Sequence, residues 1–200
     1  MITTNFSKLA LCVLVLVGGV FTSCNNDDDA PIVIPSTPSI YARLGGTTMV
    51  NDPDNAGQMI EQGRLSYRKV VNTTVGLIVA DVQSAESGNL GPHFAPLLAE
   101  VTGGNNTNLA ILVDNLTDFF SFNTGGTNAV NTYNGLDMVT AHNPATNSRM
   151  GIKSTDADYT KFEGYVGAAA VENGVAANTQ LYADVVAVLE SLRDPIVQAP

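Results

Sequence analysis

The chain holds two histidines, His93 and His142, and two cysteines, Cys12 and Cys24. An imidazole is the side chain best suited to ligate a transition metal or to carry a proton near neutral pH. His142 closes a short apolar segment within Tyr133–Ile152, YNGLDMVTAHNPATNSRMGI. Met138 lies one helical turn before it, on the same face. A ligand histidine works from an otherwise apolar wall, and Met138, Val139 and Ile152 are near in sequence to supply one. A purely structural histidine is the alternative on residue type alone. A tetrahedral zinc site would need carboxylates from distant places. The glycine pairs lack the Gly-Lys-Ser/Thr ending of a phosphate loop. Asp27–Asp29 could attract a cation, but they sit in a polar tether where solvated charge is the simpler account. No other catalytic constellation is visible.

The elements that must position His142 are read from composition and periodicity. Two hundred residues, 44% hydrophobic, suit one domain with a sizeable core. Nineteen acidic against nine basic residues, net −10, argue against a nucleic-acid partner. No basic run marks an anionic membrane surface.

Residues 1–23 are expected to be a signal peptide. Lys8 gives a positive start, and Leu9–Phe21 is an apolar stretch too short to span a bilayer. Thr22-Ser23-Cys24 resembles a bacterial lipoprotein cleavage site, with Cys24 as the lipidated N-terminus. An ordinary signal peptide with an incidental cysteine is the alternative. Cleavage would remove Lys8 and no acid, leaving 8 bases against 19 acids, net −11, and Cys24 as the one cysteine. Residues 24–38 read as a lipidated flexible tether. Its Asn25-Asn26-Asp27-Asp28-Asp29 run resembles the export signal of surface lipoproteins in some Gram-negative groups. The expected location is the outer membrane, on its periplasmic or outer side.

Residues 39–200 form the folded domain, and helices account for it. Ser39–Gly46 reads as a short helix stopped by glycines. Thr47–Gln62 is polar and irregular, with turn signals at Asp52-Pro53-Asp54 and Asn55-Ala56-Gly57. Leu65–Val82 has helical spacing despite its β-branched residues. His93–Leu98 reads as a short turn, with His93 in an exposed loop. Asn108–Asn123 is an amphipathic helix carrying Leu112, Leu116, Phe119 and Phe120. Gly135–His142 is a short helix. Asp156–Glu172 is a helix capped by Ser154 or Thr155, with Phe162 and Val166 on its apolar face. Thr179–Arg193 is the last helix, with Pro195 just beyond it. No convincing alternating strand is present.

The order of these motifs resembles the group I truncated haemoglobins over about Ser39–Val197. Ser39-Ile40-Tyr41-Ala42-Arg43-Leu44-Gly45-Gly46 is similar to the family's opening helix and first Gly-Gly. Phe119-Phe120 and Gly125-Gly126 are similar to the end of its distal helix and second Gly-Gly. Tyr133-Asn134-Gly135 is similar to its Tyr-x-Gly turn, and Ala141-His142 falls at its proximal histidine. Gly151-Ile152, Asp156–Tyr159, Asn173-Gly174-Val175 and Leu189–Asp194 continue the correspondence.

The resemblance implies an all-α, truncated globin-like two-over-two helical sandwich with insertions. It implies haem held by His142 as iron ligand, and a diatomic gas (O2, NO or CO) as partner. Phe94, Leu112, Leu116, Phe119, Met138, Ile152, Phe162 and Val75 would line the haem. His93 as a sixth iron ligand is a minor variant. The family's distal Phe-Tyr pair falls on Thr74 and Val75, and its distal glutamine on leucine. Loss of a hydrogen bond to bound oxygen, worth about 1–3 kcal/mol, would follow unless Thr74 or Thr117 turns inward. Nitric-oxide dioxygenase activity, known in the family, needs that oxygen held, so gas binding rather than catalysis is expected. Asn143–Met150 is an insertion, and Arg149 or Lys153 beside it could pair with a haem propionate or simply be solvated. The competing function is a degenerate globin scaffold serving as a non-catalytic structural or interaction lipoprotein without haem.

Overall fold

Ser39 precedes the first described helix of the computed structural model, which describes residues 36–84 and 86–200. Its hydroxyl accepts from the Ala42 N–H at 3.1 Å and caps α1 (Ile40–Arg43). Gly45 and Gly46 then take φ of +110° and +54°, a left-handed region that glycine enters without strain. The signal peptide and most of the tether lie outside the described residues.

A hairpin follows, β1 (Met49–Asn51) paired antiparallel with β2 (Met59–Glu61), Val50 opposite Ile60. This corrects the expectation of an irregular, strand-free segment from Thr47 to Gln62. Strands of three residues show too little alternation to be read as strands. Tertiary contacts hold them. Arg68 grips Asp52 and Asp54 at the mouth of the turn, and Asp52 N–H donates to the Gln58 carbonyl at 2.9 Å.

The central helix is α2 (Gln62–Ser84). Its buried residues include Tyr67, Val71, Thr74 and Ile78, a stripe at helical spacing. Packing of that stripe overrides the weak helix preference of its valines. Next come α3 (Gly91–Thr102), α4 (Thr107–Asn123), α5 (Met138–Ala141), α6 (Asp156–Glu172), α7 (Gln180–Glu190) and α8 (Arg193–Ile196). α2 packs chiefly on α4 and α6, and α5 packs on α8. The described chain is thus mostly helical with one small hairpin, and none of its described helices is long and apolar enough to cross a membrane.

Two helical expectations change. His93–Leu98 is part of α3, not a turn. Pro92 suits the first turn of a helix, and Pro96 only deprives the Pro92 carbonyl of its partner four residues on. The last helix is also two: α7 ends at Glu190, and Pro195 lies inside α8. At the third position of a new helix the missing N–H has no partner to lose. α6, by contrast, has the expected bounds. Thr155 and Asp158 form a reciprocal capping box at its start.

Gly63 in α2 and Gly126 of the second Gly-Gly pair close on one ring, that of Tyr41. Tyr41 N–H donates to the Thr124 carbonyl at 3.0 Å. A Cβ on Gly63 or Gly126 would lie 2.8 Å or 2.7 Å from the Tyr41 ring, so only glycine lets these backbones close on it. The Tyr41 hydroxyl donates to buried Glu61, and Asn131, which is 0% exposed, donates to Glu61 at 2.8 Å and to the Gly126 carbonyl at 3.0 Å. Asn128 also donates to Glu61, at 2.9 Å. Burial alone would raise the Glu61 pKa. The donors Tyr41, Asn128 and Asn131 and the charge of Arg64 outweigh it and hold the carboxylate below its ordinary range.

Candidate haem-ligand site

His142 is the C-cap of α5, where Asp137 caps the start by accepting from the Thr140 N–H at 2.9 Å. One turn of helix brings the Met138 carbonyl to 2.9 Å from His142 Nδ1. That contact assigns the proton to Nδ1, because a carbonyl only accepts. Nε2 is left with its lone pair, and none of the described side chains hydrogen-bonds to it. Burial holds the imidazole pKa below the ordinary histidine value of 6.5, while the Met138 carbonyl pulls weakly the other way. The half-buried ring is therefore neutral at neutral pH, with one nitrogen free to donate to a metal.

The expected wall divides into two groups. Val75, Phe94, Leu112, Leu116, Phe119, Met138 and Phe162 are all half-buried. Phe119 contacts Phe120 and Tyr133 edge-on, with ring centroids 5.4 and 5.1 Å apart. The Tyr133 contact ties α4 to the turn that leads into α5. Ile152 is 46% exposed and Val139 52% exposed, so neither contributes a dry wall.

The burial of α4 inverts the pattern its sequence suggests. Its fully buried residues are Thr117 and Ser121, with Thr124 just past its end, while its leucines and phenylalanines are covered only in part. Small hydroxyl residues let α4 sit close to α2, and Tyr67 donates to Thr124 at 2.6 Å across that contact. The larger apolar side chains are displaced to the flanks, where the protein leaves them half-covered.

Thr74, Thr117 and His93 are already engaged. Thr74 donates to the Val70 carbonyl at 2.9 Å, and Thr117 to the Val113 carbonyl at 2.8 Å. His93 is not in an exposed loop. It is 4% exposed in α3, with Nε2 3.3 Å from Asp158 Oδ2. Its Nε2 is thus engaged by Asp158 at the start of α6. Arg149 and Lys153 are exposed and make no salt bridge among the described residues.

Comparison with protein-family models, with curated proteins and with solved structures returns no match.

Among the described residues, no group of three or more His, Cys, Asp or Glu side chains is placed to hold a metal ion. A separate cleft of about 220 Å³ opens beside the hairpin, lined by Met49, Met59, Val130, Arg64 and Arg68 among others. Its charges are already spoken for: Arg68 by Asp52, Arg64 by Asp118, and Glu61 by the Tyr41 cluster. Sequence reasoning missed that cluster. Glu61 and Asn131 are 70 residues apart and belong to no periodic pattern, so only Tyr41 and the glycine pairs around them were readable.

Proposed function

We propose that this chain is a haem-binding, truncated globin-like lipoprotein, with His142 Nε2 as iron ligand and a diatomic gas as partner. The observation that carries the reading is the 2.9 Å contact between His142 Nδ1 and the Met138 carbonyl. It orients the ring and leaves Nε2 unprotonated, which is what a ligand imidazole requires. The half-covered Val75, Phe94, Leu112, Leu116, Phe119, Met138 and Phe162 would exclude water from a flat apolar guest. Their partial cover is apolar area still to be buried. α2 packed between α4 and α6 is compatible with a two-over-two sandwich.

Haem would supply the iron centre at which a gas binds. The chain itself would supply the ligand nitrogen and its orientation. It offers little to discriminate among gases, since the hydroxyls of Thr74 and Thr117 donate to their own helices and His93 faces Asp158. Binding without a strong hydrogen bond to the gas suits carriage or sensing better than oxygen-dependent catalysis. That same lack of distal polar groups favours, as a second reading, a globin scaffold that serves as a structural lipoprotein without haem. Lipid on Cys24 would hold either form at the outer membrane.

The test is an absorption spectrum of the full chain in mild detergent with haem supplied, beside His142→Ala. The haem reading expects a Soret band in the first and its loss or marked shift in the second. A folded helical protein that ignores haem, or an identical spectrum from the variant, would overturn it and favour the second reading.

A further inference from the structure

The segment between His142 and α6 resembles slack added to the domain, yet it is tied at several points. Thr146 Oγ1 donates to the Thr140 carbonyl at 2.9 Å, and Asn147 Nδ2 to the Ala141 carbonyl at 2.7 Å. These are last-turn carbonyls of α5, which a helix leaves without internal partners. Asn147 N–H donates back to Asn143 at 2.8 Å, and Met150 N–H to Asn147 at 3.0 Å. Gly151 N–H then donates to the His93 carbonyl at 2.9 Å. A Cβ on Gly151 would fall 2.0 Å from the Pro92 carbonyl oxygen, so the strap touches α3 at a point only glycine can occupy. Pro96 has no N–H to engage that Pro92 carbonyl, which leaves room for this approach. At its far end the strap becomes the N-cap of α6, Thr155, whose N–H donates to Asp158 Oδ2 at 2.9 Å.

His93 reaches the strap once and the α6 cap beside it once. Its backbone carbonyl holds Gly151, and its ring nitrogen Nε2 holds Asp158, the other half of the α6 capping box. The same ring leaves Nδ1 buried without a hydrogen-bond partner among the described residues. Such orphaned nitrogens are uncommon and destabilising. An apolar side chain of similar size would avoid the orphan, so what the imidazole contributes comes from Nε2 on Asp158.

We propose that His93 is a positioning residue for His142: it pins the strap of residues 143–155 between α3 and the start of α6, and the pinned strap in turn fixes the end of α5 and the direction of the His142 imidazole. The role rests on the haem-ligand reading for its purpose, but the mechanical coupling does not. His93 works indirectly. It acts through Gly151 and Asp158, and the strap acts on His142 through the carbonyls of Thr140 and Ala141.

The test uses the full chain without haem and the variants His93→Leu, His93→Gln, Asp158→Asn and Gly151→Ala. Hydrogen exchange is followed peptide by peptide, and the imidazole signals by NMR, where a chain with two histidines gives two resolvable rings. His93→Leu and Gly151→Ala should each speed exchange across 143–155 by about tenfold or more while α2 and the interior of α6 stay protected. Both should shift the His142 ring signals. His93→Gln, whose amide can still donate to Asp158, should restore much of the protection, and Asp158→Asn should resemble His93→Leu more mildly. Exchange that rises equally in α2 and the strap would mean a merely structural residue and overturn the proposal. So would an unchanged His142 signal in both disruptive variants. A variant that fails to fold is replaced by Asp158→Asn, which keeps the side-chain volume. Haem added to the unmodified chain reports separately: absence of a Soret band sinks the ligand reading and leaves the exchange result standing.

Discussion

His142 Nδ1 lies 2.9 Å from the carbonyl oxygen of Met138, its neighbour one helical turn back. This one contact decides which nitrogen is protonated, which is free, and which way the ring faces. It is made within one helical turn of α5, which Asp137 caps at its start and the strap residues Thr146 and Asn147 bond at its end.

The first prediction concerns acid. Burial depresses the His142 pKa below 6.5, so the unfolded chain binds the proton more readily than the folded one. The sign follows: its stabilising contribution is fully present above 6.5 and is lost as pH falls through the lower folded value. Thermal midpoints measured across this range should fall with acidification in the parent chain and fall less in His142→Phe. Equal pH slopes in the two would contradict the assignment.

Glu61 acts in a lower window. Its folded pKa is also depressed, so its contribution is present above the ordinary value of 4.5 and fades as pH drops through the folded one. Acid unfolding followed by far-UV circular dichroism should therefore have a component below 4.5 that Glu61→Gln removes, at the expense of stability near neutrality.

The Tyr41 hydroxyl is the third case. Burial first, then the Glu61 contact, pushes its pKa from 10.0 up to about 12. A raised folded value means the contribution is complete below 10.0 and disappears as pH rises towards about 12. Tyr41→Phe should cost about 1–3 kcal/mol at neutral pH, because Glu61 and Asn131 lose a partner inside the protein. Denaturant titration of Tyr41→Phe, Asn131→Ala and the double variant should give a non-additive cycle, since the three groups share one network.

Two glycines should respond in opposite directions. A Cβ at Gly126 would stand 2.6 Å from the Ser121 carbonyl and 2.7 Å from the Tyr41 ring. Gly126→Ala should lose about 1–3 kcal/mol or more, as overpacking does. Gly164 in α6 has nothing within 4 Å of the same position. Gly164→Ala should gain about 0.5–1 kcal/mol, because alanine restricts the unfolded chain and suits a helix interior. Chemical denaturation of both variants checks the contrast.

Much of the fold was legible in one dimension. The extent of α4, the capped start of α6 and the glycine stops after α1 and α4 are local properties, and they appear where the residues put them. The same is true of His142 at the end of a short apolar helix. Helix formation and capping act over three or four residues, so a linear reading can see them.

What lay beyond that reach has one cause: partners far apart in sequence. The hairpin is held by Arg68 from α2, and α3 holds a histidine whose partner Asp158 lies 65 residues on. α4 buried its hydroxyl stripe instead of its leucines because close approach to α2 admits only small side chains there. Tyr41, Glu61 and Asn131 become one network only when three distant segments converge. The sequence by itself determined where helices start and stop, and which histidine ends an apolar turn. The tertiary structure alone decided what each helix buries, which polar groups are satisfied, and that the strap after His142 is pinned rather than loose. Burial and long-range hydrogen bonding are properties of the packed chain and have no one-dimensional signature.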